Sequence, residues 1–442
     1  MASDSIAVRD AAGPRATAAA SPYRATLGLA VLTCALAPAY VVRWHIWFYP
    51  TTLLEVMIGL TVVAFLVETW RSGEALVWRS PYTYPGLLLL LAGLVGVAVS
   101  PLHVEAAGLW RAYILEPLAF FFVLGAAVRS SRAAYLVLAG LGLGGLVAGL
   151  ANSFVVVEAM RHHVLNVAVR PPVVIYNTAN AIALYLVPLI AVAGAVVLHA
   201  RDRRLRLGAL VFAALAVASV LLSFSRGGYA ALAAVGIGLA LSHRWRWRLV
   251  PAVLVVGAAL TQVPPIEHRL IHELNPSDPA NSFVMRLKLW QATLHMLAQH
   301  PVFGAGMSAF QDTIQPYVKG LLTDQQLVMY PHNIVLNFWT ETGLLGLGAF
   351  LWLLVQAFRT SLRGWKIFSS SGTWRPLYLG VLLAMVAVVV HGMVDVPYWK
   401  NDLSLEFWTL LAVTWVGFRW SSYGRSRLPG EDAEDRIAGG LR

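Results

Sequence analysis

Residues 285–310 read MRLKLWQATLHMLAQHPVFGAGMSAF, and residues 330–348 read YPHNIVLNFWTETGLLGLG. The first stretch is a basic amphipathic segment running into a Pro-Val-Phe-Gly-Ala-Gly turn. The second passes from Tyr-Pro-His-Asn into a long apolar run. An Asn before apolar residues is a helix start, because its side chain satisfies a free backbone N–H. His332–Asn333 is therefore read as the point where the chain leaves a polar loop and enters a spanning helix.

The rest of the chain is mostly of that second kind. Of 442 residues, 58% are apolar and 12% charged, and mean hydropathy is +0.66. A soluble domain carries about 25% charged residues. Apolar runs fall at about 25–42, 51–69, 84–100, 112–128, 134–157, 178–199, 207–223, 227–242, 249–264, 333–357, 376–396 and 403–418. These runs are long enough for helices and too long for barrel strands. The expected fold is an all-α integral membrane protein of about twelve spans. Residues 1–24 read as a disordered cytoplasmic tail, 25–264 as the first nine spans and 265–332 as a large, partly helical outside loop. Residues 333–418 read as the last three spans and 419–442 as a second cytoplasmic tail. The lone cysteine, Cys34, excludes a disulfide framework and reads as packing.

The net charge of +11 is distributed as the positive-inside rule requires. With the N-terminus in the cytoplasm, every inside segment is basic and 23 of the 33 Lys and Arg lie inside. The charge sets topology and is no nucleic-acid footprint. Ten basic residues remain outside: Arg43, Arg111, Arg161, Arg170, Arg226, Arg269, Arg286, Lys288, Lys319 and Lys400. Orientation does not explain them; an anionic substrate would.

Arg226, in Leu222–Tyr229 (LSFSRGGY), joins two spans with almost no loop, so it sits at the membrane face with two glycines beside it. A guanidinium offers a planar fork of donors to phosphate. On the amphipathic segment, Phe283, Leu287, Trp290, Leu294 and Leu297 form one apolar face, and Arg286 lies at its edge, turned towards the membrane. His332, at a helix N-terminus that disfavours imidazolium, is suited to accept a proton. Asn333, Asn337 and Glu341 form a polar stripe that should meet protein or a cavity. Asn177 and Asn180 read either as helix caps or as donors to phosphate or sugar. Asp395, sharing a face with His391, is expected to pair with an Arg and hold it.

Glu68 is expected to pair with Arg71, and Glu55 and Glu116 either line a cavity or bond between helices. The Gly-Leu-Gly-Leu-Gly-Gly run at 140–145 lies in an apolar helix with no Lys-Ser/Thr after it, so it reads as close helix packing. His162–His163 and the pair His268 and His272 have no third ligand in sequence, and no metal site is expected.

Three elements carry a family resemblance: Ser225-Arg226-Gly227; Arg286-(x)3-Trp290 followed by Pro301-Val-Phe-Gly304-Ala-Gly306; and His332-Asn333-(x)9-Gly343-Leu-Leu-Gly346. Over roughly 170–415 the chain resembles the bacterial O-antigen ligase family, which is related to O-antigen polymerases. The H-N-x9-G-x-x-G pattern is the most specific of the three. The resemblance implies a fold like the lipid-dependent (GT-C-like) glycosyltransferases. It implies metal-independent, inverting transfer of a completed glycan from undecaprenyl pyrophosphate to a lipid A–core sugar, at the periplasmic face of the inner membrane. Neither a cofactor nor ATP is needed, because the donor is already activated. On this reading His332 is the catalytic base. Arg226, Arg286, Arg269 and Arg170 bind pyrophosphate, and Asn333, Asn180 and Asp395 support them. An O-antigen polymerase and a protein O-oligosaccharyltransferase use the same donor and remain alternatives. A lipid-linked sugar transporter is a third, though the chain shows no two-fold repeat.

Overall fold

The computed structural model describes residues 21–47, 49–165, 171–264, 266–267, 271, 275, 277, 281–321, 328–368 and 372–420. Both expected tails beyond residues 21–420, and the residues Arg170, Arg269, His268 and His272, lie outside the described residues.

The chain is mainly helical. α1 (Arg24–Ala35), α2 (Leu53–Ser72) and α3 (Thr83–Val99) are followed by α4 (His103–Trp110), which continues through a π-helical turn into α5 (Glu116–Ala127). Then come α6 (Ser131–Arg161), α7 (Asn180–His199), α8 (Arg203–Leu222), α9 (Arg226–Ser242) and α10 (Arg246–Leu260). The stretch before the last long helices holds α11 (Ser282–Gln299) and two single turns, α12 (Phe310–Thr313) and α13 (Gln315–Val318). α14 (Ile334–Ile367), α15 (Arg375–Gly392) and α16 (Asn401–Trp420) close the chain. Each of the twelve expected apolar runs falls on a helix. Among the described residues, seven helical stretches are long and apolar enough to cross a membrane. They are α2, His103–Ala127, α6, α7, α8, α14 and α15; α1, α3 and α9 are apolar but shorter.

Local chemistry sets the helix starts. Thr52 and Glu55 form a reciprocal capping box on α2. Ser130, Asp202, Ser225, Asn281 and Asn333 cap α6, α8, α9, α11 and α14 through their side chains. Gly73, at φ +64°, ends α2 in the left-handed conformation. α7, α15 and α16 are buried over most of their length and form the centre. α8 buries only Ala216, Ser219 and Val220, and α10 buries nothing. Such apolar, unburied helices suit a lipid surround.

The glycine run in α6 does pack as expected. A Cβ on Gly140 would strike the Val31 carbonyl, and one on Gly145 would strike the Tyr185 ring. Cys34 is buried.

Between the first two expected runs lies a short two-stranded antiparallel hairpin, Arg43–Ile46 with Tyr49–Thr52, within a fold that is otherwise helical. Three expectations need correction. Glu68 does not make its main contacts with Arg71. Its carboxylate accepts from the N–H groups of Ala25 and Thr26 and from the Thr26 hydroxyl, and so secures the start of α1. α14 runs ten residues past the expected end. It is also broken at Gly343, where φ is +66° and ψ −172°.

That break is built from two of the sequence motifs. The Leu344 N–H donates to Val302 O at 2.9 Å, and the Ala305 N–H donates to Thr340 O at 2.8 Å. The Ser308 N–H donates to the Glu341 carboxylate at 2.7 Å, and Trp339 Nε1 to Pro301 O at 2.7 Å. The Pro301–Ser308 turn thus supplies the partners that the interrupted helix lacks. Gly304, at φ +71°, lies so close to the Trp339 and Thr340 carbonyls that no Cβ fits. Gly343→Ala should therefore destabilise the protein by about 1–3 kcal/mol or more. Gly348→Ala, in open helical surroundings, should be neutral or stabilise by up to about 1 kcal/mol. Thermal unfolding of the two variants in detergent checks the contrast.

Candidate active site

Four helices begin at one place. Asn180 opens α7, Arg226 opens α9, Ser282 opens α11, and Asn333 caps α14. Their first side chains converge on the segment that leaves α15, His391–Asp395. A helix N-terminus carries roughly half a positive charge and unpaired N–H groups, so the cluster is electropositive even before its arginines are considered.

Asp395 lies beyond the end of α15 and is 6% exposed. Its carboxylate accepts from Asn180 Nδ2 at 2.8 Å and from the Val396 N–H at 2.9 Å. His332 Nδ1 stands 3.5 Å from the same carboxylate, in contact but without an aligned hydrogen bond. Burial alone would raise the Asp395 pKa. Contact with His332 and the charges of His391 and Arg286 overcome it and hold the carboxyl well below the usual carboxylate range. Asp395 is therefore an anion here. The expected arginine partner is replaced, among the described residues, by His332 and Asn180. Arg286 sits near enough to act on it electrostatically but bonds elsewhere.

His332 itself has φ +48°, in the left-handed region where non-glycine residues are uncommon. Trp290 Nε1 donates to the Pro331 carbonyl at 2.9 Å, and Asn333 Nδ2 to the Met393 carbonyl at 3.2 Å, so both flanks of His332 are fastened. Among the described residues, His332 Nε2 has no hydrogen-bond partner in the protein. The side chain is 17% exposed.

Arg226 and Arg286 meet over one atom. Arg226 Nη2 and Arg286 Nη1 each donate to Ser282 Oγ at 2.7 Å, and Arg286 Nε donates to Val394 O at 2.9 Å. Arg286 is thus turned towards the segment that leaves α15. α11 packs inward through Leu289, Ala292, Thr293, Met296 and Leu297 against α12, α13 and the start of α14. Phe283, Leu287 and Leu294 of the apolar face are exposed. Gly227, next to Arg226, lies against the His391 ring, where an added Cβ would come within 2.7 Å of Cδ2.

Asn180 is not a cap: Ala179 holds that position and the Asn180 side chain is given to Asp395. The polar stripe behind Asn333 faces protein, with Asn337 and Glu341 both buried. Arg111 is neutralised locally, 2.9 Å from Glu55 on α2 and 3.2 Å from Glu116 in its own continuous helical stretch, so Glu55 bonds between helices and Glu116 within one. His162 contacts Glu158 at the surface, and no group of three or more potential metal ligands occurs among the described residues. Ser282 and the carbonyls of Met393 and Val394 were not singled out in the sequence. Asn281-Ser282 before an apolar run is a legible helix start, but backbone acceptors leave no sequence trace.

Residues 211–353, about a third of the chain, match the family model described as O-antigen ligase, which supports assignment to that family. The match takes in Arg226, Ser282, Arg286, His332 and Asn333, and stops short of Asn180 and Asp395. No curated protein matches the chain.

Asp395→Ala would leave the half-buried Asn180 amide and the buried Val396 N–H without their acceptor, at up to about 1–3 kcal/mol for each orphan. Asp395→Asn tests the charge. Because the native pKa is depressed, the carboxylate's contribution is complete above the unfolded value near 4 and is lost as pH falls towards the native value. The melting-temperature gap between wild type and Asp395→Asn should be constant from pH 5 to 8 and narrow below about pH 4.

Proposed function

We propose that the protein is an O-antigen ligase acting at the periplasmic face of the bacterial inner membrane. It moves a completed glycan from undecaprenyl pyrophosphate to a sugar hydroxyl of lipid A–core, with inversion and without a metal ion. The observation that carries the reading is the convergence of Arg226, Arg286 and His332 at four helix N-termini. The basic residues of the inside segments support the orientation, and the match over residues 211–353 supports the family.

In this reading Arg226 and Arg286 bind the pyrophosphate. Negative charge grows on that group as the anomeric C–O bond breaks, and fixed donors aimed at growing charge lower the barrier. Pyrophosphate leaves as an anion with the bonding electrons, so no general acid is required. His332 Nε2 takes the proton of the acceptor hydroxyl as its oxygen attacks the anomeric carbon. Asp395, an anion against Nδ1, orients the ring and favours the imidazolium that forms. Asn180 and Asn333 hold Asp395 and the backbone around it. Arg269 and Arg170 are proposed as further pyrophosphate ligands from sequence alone.

The test is transfer in vitro, with purified protein, undecaprenyl-pyrophosphate glycan and lipid A–core, in EDTA and without nucleotide. Glycan should appear on lipid A–core. A positioned general base contributes about 10²–10⁴ in rate, so His332→Ala should fall by at least that range while still inserting and folding. Normal ligation by that variant would remove His332 from the mechanism. Chain growth on the undecaprenyl carrier would make the protein a polymerase.

A further inference from the structure

Arg226 and Arg286 come from different helices, α9 and α11, and carry like charges. Both Nη atoms lie 2.7 Å from Ser282 Oγ, so they stand within twice that distance of each other. At such separation two like charges repel, and a shared acceptor between them favours the close arrangement. The hydroxyl oxygen of Ser282 is placed to do so, since it has two lone pairs and here accepts from both arginines. Ser282 is itself fixed. It is the first residue of α11, behind Asn281, whose side chain accepts from the Val284 N–H at 2.9 Å and donates to Asn275 O at 2.9 Å. The far side of Arg286 is fixed by Val394 O.

We propose that Ser282 is a positioning residue that holds Arg226 and Arg286 as a single two-guanidinium unit for the donor pyrophosphate. The inference rests on the reading of those arginines as pyrophosphate ligands. A partial negative charge keeps the two forks focused on one point, and a phosphate oxygen arriving there meets both at once. Without it, the arginines would separate and each would have to be brought back on binding.

The experiment uses the full chain in nanodiscs, with undecaprenyl pyrophosphate as probe. Its dissociation constant is measured alongside the donor and acceptor KM of the transfer reaction. A charge-assisted hydrogen bond is worth about 1.5–3 kcal/mol, so Ser282→Ala should weaken donor binding on the order of 10-fold or more. Ser282→Cys, a poor acceptor of similar size, should do the same, and Ser282→Thr, which keeps the hydroxyl, should stay near wild type. The acceptor KM should not move. A purely structural Ser282 would lower the melting temperature without this pattern. Wild-type affinity in folded Ser282→Ala and Ser282→Cys would overturn the proposal while leaving the arginine assignment intact. If wild type fails to bind the probe, or Arg226→Ala and Arg286→Ala bind it unchanged, the arginine reading fails and the role of Ser282 falls with it.

Discussion

The carboxylate of Asp395 joins three helices that are distant in sequence. It receives Asn180 at the start of α7, lies against His332 before α14, and is itself the continuation of α15. A buried anion is costly unless opposite charge and donors surround it, so its presence obliges those elements to meet. The arginines and the histidine are then placed as a consequence. Arg286 reaches the carbonyl next to Asp395, and Arg226 reaches Arg286 through one hydroxyl. Removing the carboxylate would release the geometry on which the proposed chemistry depends.

The helix starts explain why so much polar chemistry is tolerated beside the membrane. Each α-helix leaves N–H groups unpaired at its beginning. Bringing four such ends together concentrates positive potential where the proposed anionic donor would bind, without adding flexible side chains. The arginines then need only contribute direction. Outside this cluster, some ionisable groups are matched locally, as with Arg111 between Glu55 and Glu116, and Tyr176, whose hydroxyl donates to Asp402 at 2.7 Å.

The helical architecture was legible because hydropathy, capping residues and charge bias all report on the same physical event, the passage of a chain from water into lipid. Arg226, Arg286 and His332 were legible for the opposite reason: each is a polar residue that passage does not explain. The structure brings them into one cluster with Asn180, Asn333 and Asp395. What escaped was set by long-range contact. Glu68 caps a helix 42 residues earlier, and no local pattern announces that. The face of α11 that packs on the protein was missed because periodicity ranks faces by hydropathy, while the helix buries the side that fits its neighbours. The Gly304 and Gly343 signals were seen as family marks, yet their reason is steric and appears only when the two backbones touch.

The interruption of α14 also divides its length. Leu344–Ile367 has 24 residues and Ile334–Thr342 has nine, about 36 Å and 14 Å of helix respectively. The longer part alone exceeds the roughly 30 Å of a bilayer's hydrocarbon layer. The shorter part is surplus thickness, and His332 sits at its tip. In the proposed reaction, bond exchange at that tip would suit the depth of the lipid headgroups. The polyprenyl tail can then stay dissolved in the leaflet throughout a turnover, and a long hydrophilic glycan never has to be dehydrated.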